Sequence, residues 1–313
     1  MNLGFALPVA GHWATRDNLV TVAQAAEAHG YHSLWVFQRL LYPLNPRNDY
    51  PPLPGQPWPR AFERVLDPMI ALTYAAAVTR RIRIGTSVLI MPYYTPVMLA
   101  KALATLDVLS GGRLEVGLGI GWSEDEYEAV GVPFRHRGRR ADEFLRCLKA
   151  VWTEDPVEFA GEFYRVPRSR VEPQPAQKPH PPITIGGYGP VVVRRAVTLG
   201  DGFNGGNVPL DQLTPIVAEL RKAALAAGRD PTTLHIVSRG SYRVHERPQG
   251  PGRRPLWGSL DEIREDIGRY AAAGLTTLFL EPNFQPGGPV LDAVLEHLEA
   301  LAPRRGPATG RRA

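Results

Sequence analysis

Residues Ile82 to Trp122 constrain the fold most, because they form a buried strand pattern, a helix pattern and a second buried strand pattern in direct succession. The first part, IRIGTSVLI, is β-branched and almost continuously apolar, as is typical of a strand that is covered on both faces. Pro96 suits the first turn of a helix, and leucines recur at helical spacing until Gly111 and Gly112 end the run. The stretch therefore predicts two parallel strands joined by a helix.

The second strand of this unit, LEVGLGIG over residues 114–121, has glycine at alternate positions towards its end. Side chains alternate along a strand, so one face of this strand end carries no side chain, and we expect a flat molecule to lie there. Close packing against a helix is the alternative explanation for the same glycines.

The alternation of strand and helix continues along the whole chain. The predicted strands cover residues 2–7, 31–37, 82–90, 114–121, 183–185, 202–204, 234–238 and 276–280. Eight strands, each followed by a helical pattern, favour a closed (β/α)8 TIM barrel with insertion loops over an open doubly wound sheet. We expect residues 1–303 to form this single domain and residues 304–313 to form a basic, flexible tail.

A long connection, residues 38–66, separates the second predicted strand from the next helix and is rich in Pro, Tyr and Arg. Structureless connections of this length are uncommon in compact domains unless they bind something or cover a site. We expect this segment to lie on the substrate side, with disorder as the alternative.

Charge and composition limit the partners. The formal net charge is +5, and four of these charges are arginines within residues 304–313, which leaves about +1 for the rest and does not indicate nucleic-acid binding. Cys147, the single cysteine, lies at an apolar helical position, so disulfides and thiolate metal sites are excluded. No apolar stretch approaches the ~20 residues that span a membrane, and residues 1–10 lack a signal-peptide pattern. We therefore expect a soluble, cytoplasmic protein with no membrane partner.

The run from Gly186 through Gly187 and Tyr188 to Pro190 follows the fifth predicted strand and opens a helix. Free backbone N–H groups and the positive end of a helix dipole then meet at the carboxyl end of a strand, and this arrangement attracts phosphate. A simple tight turn is the alternative. The chain has neither paired-histidine metal spacing nor a nucleophile elbow, so a metal site and acyl transfer have little support.

Polar residues that leave the first two strands are candidates for catalysis. His12 lies in the loop that leaves the first strand and is a candidate proton donor or acceptor, with an unused surface histidine as the alternative. Gln38 and Arg39 end the second strand, and Arg39 is a candidate contact for an anionic ring or a carboxylate, with a salt bridge to loop acids as the alternative. The aromatic residues expected to wall the cavity are Trp13, Tyr93, Tyr94 and Trp122. A glycine wall, an anion site and these aromatics suit a bound planar cofactor.

Several motifs resemble those of the luciferase-like monooxygenase superfamily and, within it, the coenzyme F420-dependent oxidoreductases. The similarity runs from Asp67 to Asn204 and resumes from Gly258 to Glu281. Its most specific pieces are TSVLIMPYYTPVMLAKALATLDVLSGGRLEVGLGIGW, GVPFRHRGRR, FAGEFYRV, and PHPPITIGGYG with LGDGF.

The resemblance implies a barrel that binds its cofactor at the carboxyl ends of the strands. It implies a non-prolyl cis peptide between Ser87 and Val88 that braces the back of a deazaflavin ring. The positions that match the cofactor wall are Gly119, Ile120, Gly121 and Trp122, and those that match the phosphate site are Gly186, Gly187 and Tyr188. A homodimer is expected from the resemblance alone.

Two departures from the family pattern matter. Many relatives carry Asp-His where this chain has Gln38 and Arg39, and glucose-6-phosphate dehydrogenase relatives carry a catalytic Glu at the position of Trp122. The catalytic roles of the proton-handling residues in those enzymes therefore cannot be assigned to this chain, and oxidation of a sugar phosphate is disfavoured. Arg39 in place of His suggests a contact with an anion.

The sequence thus predicts an F420-dependent oxidoreductase that moves a hydride between the deazaflavin and a small organic substrate, with His12 or a tyrosine of residues 38–66 handling the proton. An FMN-dependent monooxygenase of the same superfamily is the nearest alternative, and a barrel that binds ligands without turnover is a further one. F420 has an acidic polyglutamate tail, so arginines or lysines near the phosphate site would favour it.

Overall fold

Eight parallel strands close into a barrel in the computed structural model, which describes residues 1–285 and 287–303. Within these residues the strands are β1 (Asn2–Ala6), β2 (Ser33–Val36), β3 (Arg83–Thr86), β4 (Leu89–Ile90), β5 (Leu114–Gly119), β6 (Val157–Ala160), β7 (Arg165–Ser169), β8 (Ile183–Gly186), β9 (Gly202–Gly205), β10 (His235–Ser241), β11 (Arg243–Val244), β12 (Trp257–Gly258) and β13 (Thr277–Glu281). The helices are α1 (Arg16–Ala28), α2 (Pro68–Val78), α3 (Pro96–Ser110), α4 (Glu124–Ala129), α5 (Arg137–Thr153), α6 (Pro190–Thr198), α7 (Leu210–Ala226), α8 (Leu260–Ala272) and α9 (Leu291–Ala300).

The strand order confirms the predicted (β/α)8 barrel. The order around the ring is β1, β2, β3, β5, β8, β9, β10 and β13, and β13 pairs with β1 in parallel to close it. Each barrel strand is followed by at least one helix. The carboxyl ends of all eight strands therefore share one rim, where enzymes of this architecture carry their active sites.

Two groups of apolar side chains fill the two layers of the barrel. The larger group packs between the strands and the surrounding helices. The smaller group comes from four barrel strands and consists of Ala6, Trp35, Val237 and Phe279. The rings of Trp35 and Phe279 stack with centroids 5.1 Å apart, and Gly85 leaves room for the indole because a Cβ atom there would lie 2.7 Å from it. Residues on the four consecutive strands β10, β13, β1 and β2 thus pack together in the interior, so the barrel is a packed core and not a pore.

The third barrel strand is interrupted just before the rim. β3 ends at Thr86, the Ser87–Val88 peptide bond is cis, and β4 resumes at Leu89 beside β5. The cis bond lies at the position that the resemblance predicts. The interruption turns Val88 out of the regular strand and brings it to the mouth of the barrel.

Two smaller predictions are also confirmed, the hairpin around Gly161 and the burial of Cys147. The FAGEFYRV segment forms the antiparallel hairpin of β6 and β7, in which the Gly161 amide donates to the carbonyl of Tyr164. Cys147 is fully buried in α5, and burial raises the pKa of its thiol to about 11. No helix in residues 1–285 and 287–303 is long and apolar enough to cross a membrane. The predicted tail, residues 304–313, lies outside the described residues.

Candidate active site

Partly exposed residues gather where the barrel strands reach the rim. Val88 is partly exposed although Ser87 and Leu89 on either side of it are buried. Ile120 after β5, Gly187 after β8 and Arg239 near the end of β10 are also partly exposed. Because these positions surround the open end of the barrel, we treat the space that they face as the candidate active site and call it the mouth.

The glycines at the ends of β5 and β8 make room for protein side chains. A Cβ atom on Gly119 would lie 2.6 Å from Cγ2 of Val88, and one on Gly186 would lie 2.8 Å from its Cγ1. A Cβ atom on Gly121 would lie 2.8 Å from Cγ2 of Ile90. The expectation that this strand end keeps an empty face for a flat molecule is therefore wrong, because Val88 and Ile90 fill that face. Close packing explains the glycines, as the alternative held. Their packing partners are Val88 of the cis peptide and Ile90 of β4, not a helix. The wall of the mouth is therefore formed by Val88.

The cis peptide is held from three sides by hydrogen bonds. The Ser87 amide donates to the carbonyl of Val36 at 2.7 Å, and the Ser87 hydroxyl donates to Oδ1 of Asn204 at 2.7 Å. The Ser87 carbonyl accepts from Nη2 of Arg239 at 2.7 Å. Strands β2, β9 and β10 therefore fix the backbone on which Val88 stands.

Gln38 is a structural link between β2 and β4. Its Oε1 accepts from the Ile90 amide at 2.8 Å, and its Nε2 donates to the Tyr94 hydroxyl at 2.6 Å. The residue is buried, and both ends of its amide are hydrogen-bonded. Burial raises the pKa of Tyr94 to about 12. This pair positions the strand after the cis bond and holds no proton that titrates near neutral pH.

Arg39 is paired with Glu126 of α4. Its Nη1 lies 3.2 Å from Oε2 of Glu126, and its guanidinium lies 4.6 Å from the ring centroid of Trp122. Glu126 is fully buried and also accepts hydrogen bonds from the Leu40 amide at 2.7 Å and the Tyr93 hydroxyl at 2.9 Å. Arg39 therefore forms a salt bridge, and its acid partner belongs to α4 and not to the loop.

Residues 38–66 cover the mouth with aromatic side chains. The rings of Trp58 and Trp122 have centroids 4.6 Å apart, and Tyr50 lies 5.5 Å from Trp122 and 5.3 Å from Phe62. Phe62 in turn packs edge-on against Phe284, which follows β13, at 5.7 Å. We call Tyr50, Trp58 and Phe62 the aromatic cover.

The aromatic cover is tied to the body of the protein by polar contacts. Nδ2 of Asn48 donates to Oε1 of Glu124, and the Glu124 amide donates back to Oδ1 of Asn48 at 2.7 Å. The indole of Trp58 donates to the Asn48 carbonyl at 2.9 Å. These contacts hold the segment against α4, and its place on the substrate side stays a prediction.

The turn before α6 presents open backbone. Gly187 and Gly189 have positive φ angles of 130° and 86°, which favour glycine, and no atom of the described residues lies within 4 Å of the position of a Cβ atom on Gly189. The amides of Tyr188 and Gly189 donate to no acceptor in the described part of the chain. Tyr188 is 62% exposed. These amides lie at the N-terminus of α6, where the helix dipole favours an anion.

Arginines lie on the first turn of α5, beside α6. Nη2 of Arg195 donates to the Gly138 carbonyl at 3.1 Å, and its Nε donates to Asp142 at 2.6 Å, so the two helices are in direct contact. The first turn of α5 contributes Arg137, Arg139 and Arg140. Arg139 pairs with Glu162 at 3.2 Å, and the guanidinium of Arg137 lies 3.7 Å from the ring centroid of Phe134.

His12 stands apart from the other candidate catalytic residues. It is exposed, and its imidazole lies beside Gly288, where a Cβ atom would come within 2.2 Å of Cε1. Within residues 1–285 and 287–303 it forms no hydrogen bond with Gln38 or Arg39. Trp13, in contrast, is buried, and its indole donates to Oδ1 of Asn283 at 3.0 Å.

Three residues at the mouth were not predicted from the sequence. Arg239 and Glu281 come from the seventh and eighth barrel strands, and Tyr50 comes from a connection without a recognisable motif. Glu281 is 1% exposed, and burial raises the pKa of its carboxyl. A charged residue inside an otherwise apolar strand, as in TLFLE, is the one signal that could have identified Glu281.

The described residues contain no group of three His, Cys, Asp or Glu side chains that could hold a metal ion. What they offer instead is a hydrocarbon wall at Val88, a ring of aromatic side chains, two arginines and an anion-attracting turn. This arrangement is that of a (β/α)8 barrel with its candidate site at the rim, where enzymes of this architecture carry their chemistry.

The match with the luciferase-like monooxygenase family covers residues 2–251, so the chain belongs to this family. It is 31% identical over 247 residues to the F420-dependent glucose-6-phosphate dehydrogenase of Amycolatopsis mediterranei, covering 76% of this chain and 69% of that protein. It is 34% identical over 155 residues to the FMNH2-dependent dimethylsulfone monooxygenase of Pseudomonas putida, covering 49% of this chain and 42% of that protein. The fold is similar to the monooxygenase RslO1 from Streptomyces bottropensis, with a TM-score of 0.80, 23% identity, and coverage of 96% and 98% of the two chains. The chain is therefore an oxidoreductase of a family that has both F420-dependent and FMN-dependent members.

Proposed function

We propose that the protein is an F420-dependent oxidoreductase that transfers a hydride between the deazaflavin and a small organic substrate. The observation that carries the proposal is the open turn at the start of α6, together with the arginine-rich first turn of α5, which packs against the same helix at Arg195. F420 carries a phosphate and an acidic tail, and this pair of features offers a site for each.

The phosphate end of the cofactor fits the residues that are present. The amides of Tyr188 and Gly189 have no acceptor within the described residues, and the space beside Gly189 is open. Two free amides at a helix N-terminus are suitable donors for a phosphate. Arg137 and Arg140 are the side chains that would attract the acidic tail, since Arg139 is already paired with Glu162.

The ring end also fits. Val88 offers a hydrocarbon surface on a backbone that three strands hold in place, and Ile120 and Trp122 continue the wall along β5. When bound, the deazaflavin supplies the hydride chemistry. The contribution of the protein is to orient the two reactants and to exclude water with the aromatic cover.

Tyr50 is the residue that we propose to handle the proton. It belongs to the aromatic cover, while His12 is exposed beside Gly288. Burial raises the pKa of Tyr50, although the charges of Arg239 and Arg39 act in the opposite direction. The phenol is therefore protonated at neutral pH and suited to donate a hydrogen bond or a proton to the substrate.

An FMN-dependent monooxygenase is the second candidate, because the dimethylsulfone monooxygenase relative uses reduced FMN. The two functions are separated by titrating the purified protein with F420 and with FMN while intrinsic tryptophan fluorescence is followed. Trp58 and Trp122 at the mouth make this signal sensitive to a bound ring. Binding of F420 in the micromolar range supports the proposal, and micromolar binding of FMN without any response to F420 would overturn it.

A second copy of the chain is the partner that we propose for α2 and α3. The sequence of α2, PMIALTYAAAV, is apolar on all sides, which is typical of a buried helix. Nevertheless Ile70 is 72% exposed, and Met98 at the start of α3 is 71% exposed. Exposed apolar side chains on two helices that contact each other suit an interface between identical subunits.

A further inference from the structure

Arg239 has hydrogen-bonding capacity that the protein leaves unused. Its Nη2 donates to the Ser87 carbonyl at 2.7 Å, but its Nε is buried and has no hydrogen-bond acceptor among residues 1–285 and 287–303. The nearest carboxylate oxygen, Oε2 of Glu281, lies 3.9 Å from Nε. That distance gives electrostatic attraction but is too long for a hydrogen bond.

The surroundings of this guanidinium are aromatic. It lies 5.4 Å from the ring centroid of Phe37, 5.5 Å from that of Phe284 and 5.9 Å from that of Phe279. Such rings attract a cation but do not replace the hydrogen bonds that water would give it. A partly buried guanidinium with an unused N–H group therefore favours an acceptor that comes from outside the protein.

Glu281 compensates this charge only in part. Its Oε1 accepts from both the amide and the Nδ2 of Asn283, at 2.8 and 2.6 Å. Its carboxyl is buried, and burial raises its pKa, which disfavours the negative charge that Arg239 needs. The side chain of Arg239 keeps 12% of its surface exposed, so a ligand in the mouth can reach the exposed part of the guanidinium, although not the buried Nε itself.

We propose that Arg239 recognises an oxyanion, such as a carboxylate, on the molecule that reacts in the mouth. The proposal rests on the proposed function in that it takes the mouth as the active site. The guanidinium lies near the rings of Phe37 and Phe284 and interacts electrostatically with Tyr50. These aromatic side chains suit an apolar or aryl group attached to the anion. The substrate class is thus a small organic acid. An anionic oxygen on the ring of a reduced cofactor would suit the same contact. In both cases the guanidinium binds an oxyanion.

Benzoate and benzamide are matched probes for this contact, because they share a ring and differ in charge. Their dissociation constants are measured by tryptophan fluorescence on the full-length protein and on the variants R239M and R239K. R243M is the control, since Arg243 is exposed on β11 and lies 5.6 Å from the ring centroid of Trp257. We expect the unaltered protein and R243M to prefer benzoate by about tenfold or more, since charge-assisted hydrogen bonds are strong.

We expect R239M to lose the preference and R239K, which keeps the charge, to retain part of it. Repeating the titration with saturating cofactor separates the two sources. Benzoate that binds beside the cofactor identifies a substrate carboxylate, and benzoate that competes with the cofactor identifies the ring. Equal or absent binding of both probes to the unaltered protein, or a preference that survives in R239M, would overturn the proposal. These outcomes do not depend on which of F420 and FMN binds, so they are distinct from a failure of the proposed function.

Discussion

Val88 and Gly119 pack as one unit at the mouth, because Cγ2 of Val88 lies 2.6 Å from the position that a Cβ atom on residue 119 would take. Valine is stiff about χ1 and cannot move its methyl groups aside without leaving its preferred rotamer. The glycine is therefore required by its neighbour and not by a conformation that only glycine adopts.

G119A is expected to lower the free energy of unfolding by about 1–3 kcal/mol, as overpacking in a rigid site does. In a V88A background the same substitution should cost clearly less, because the clashing methyl group is absent. Urea denaturation of the two single variants and the double variant measures the difference. The control is G268A in α8, where the position of the Cβ atom is open and alanine should be neutral or stabilising. An equal cost of G119A in both backgrounds would contradict the packing account.

The arginines on the first turn of α5 should contribute to cofactor binding. The double variant R137Q/R140Q is expected to weaken F420 binding by about tenfold, and the loss should shrink at high salt because exposed charges are screened. FMN, which has no acidic tail, should be affected less. R264Q is the control, since Arg264 is an arginine of α8 that pairs with Asp261. Equal losses for F420 and FMN, or a loss that does not depend on salt, would argue against a tail site at α5.

The hydrogen bonds to Glu262 should make stability depend on pH in the acid range. Three amides, those of Gln249, Gly250 and Ser259, donate to its carboxylate and lower its pKa from 4.5 to about 2. A lowered folded-state pKa stabilises the protein above pH 4.5, and this contribution is lost as the pH falls from 4.5 towards 2. Thermal unfolding of the unaltered protein and E262Q should differ most near pH 6, and the gap should close as the pH falls. A gap of constant size across this range would contradict the assignment.

The exposed apolar residues of α2 and α3 provide a test of the proposed dimer. I70E and M98E are expected to shift the molar mass in solution from two chains towards one, because a buried unpaired carboxylate opposes association. L225E is the matched control, since Leu225 is 66% exposed on α7, away from α2 and α3. Size-exclusion chromatography with light scattering gives the mass. A monomeric unaltered protein, or variants that stay dimeric, would exclude this face as the interface.

The fold was predictable because its signals are local. Apolar strand patterns, Pro68 and Pro96 at helix starts, and Gly111 after α3 each specify an element from adjacent residues. Asp67 and Thr95 accept hydrogen bonds from the first turns of α2 and α3, as N-cap residues do. Eight repeats of one local pattern then leave few topologies, of which the barrel is the simplest.

The site was less predictable because its contacts join residues that are far apart in the chain. The alternating glycines of β5 predicted an empty face, but Val88, which fills it, lies between β3 and β4, some thirty positions earlier in the chain. Arg239 contacts Ser87 across 152 positions, and no local pattern marks either residue as a partner of the other. Likewise, the acid that pairs with Arg39 lies on α4, so charge alone could not identify it.

The most direct test of the central claim is a crystal structure of the protein with F420 bound. We predict that the deazaflavin ring lies against the side chain of Val88 and that its phosphate accepts hydrogen bonds from the amides of Tyr188 and Gly189. A ring bound away from Val88, or a phosphate held by other residues, would contradict the account.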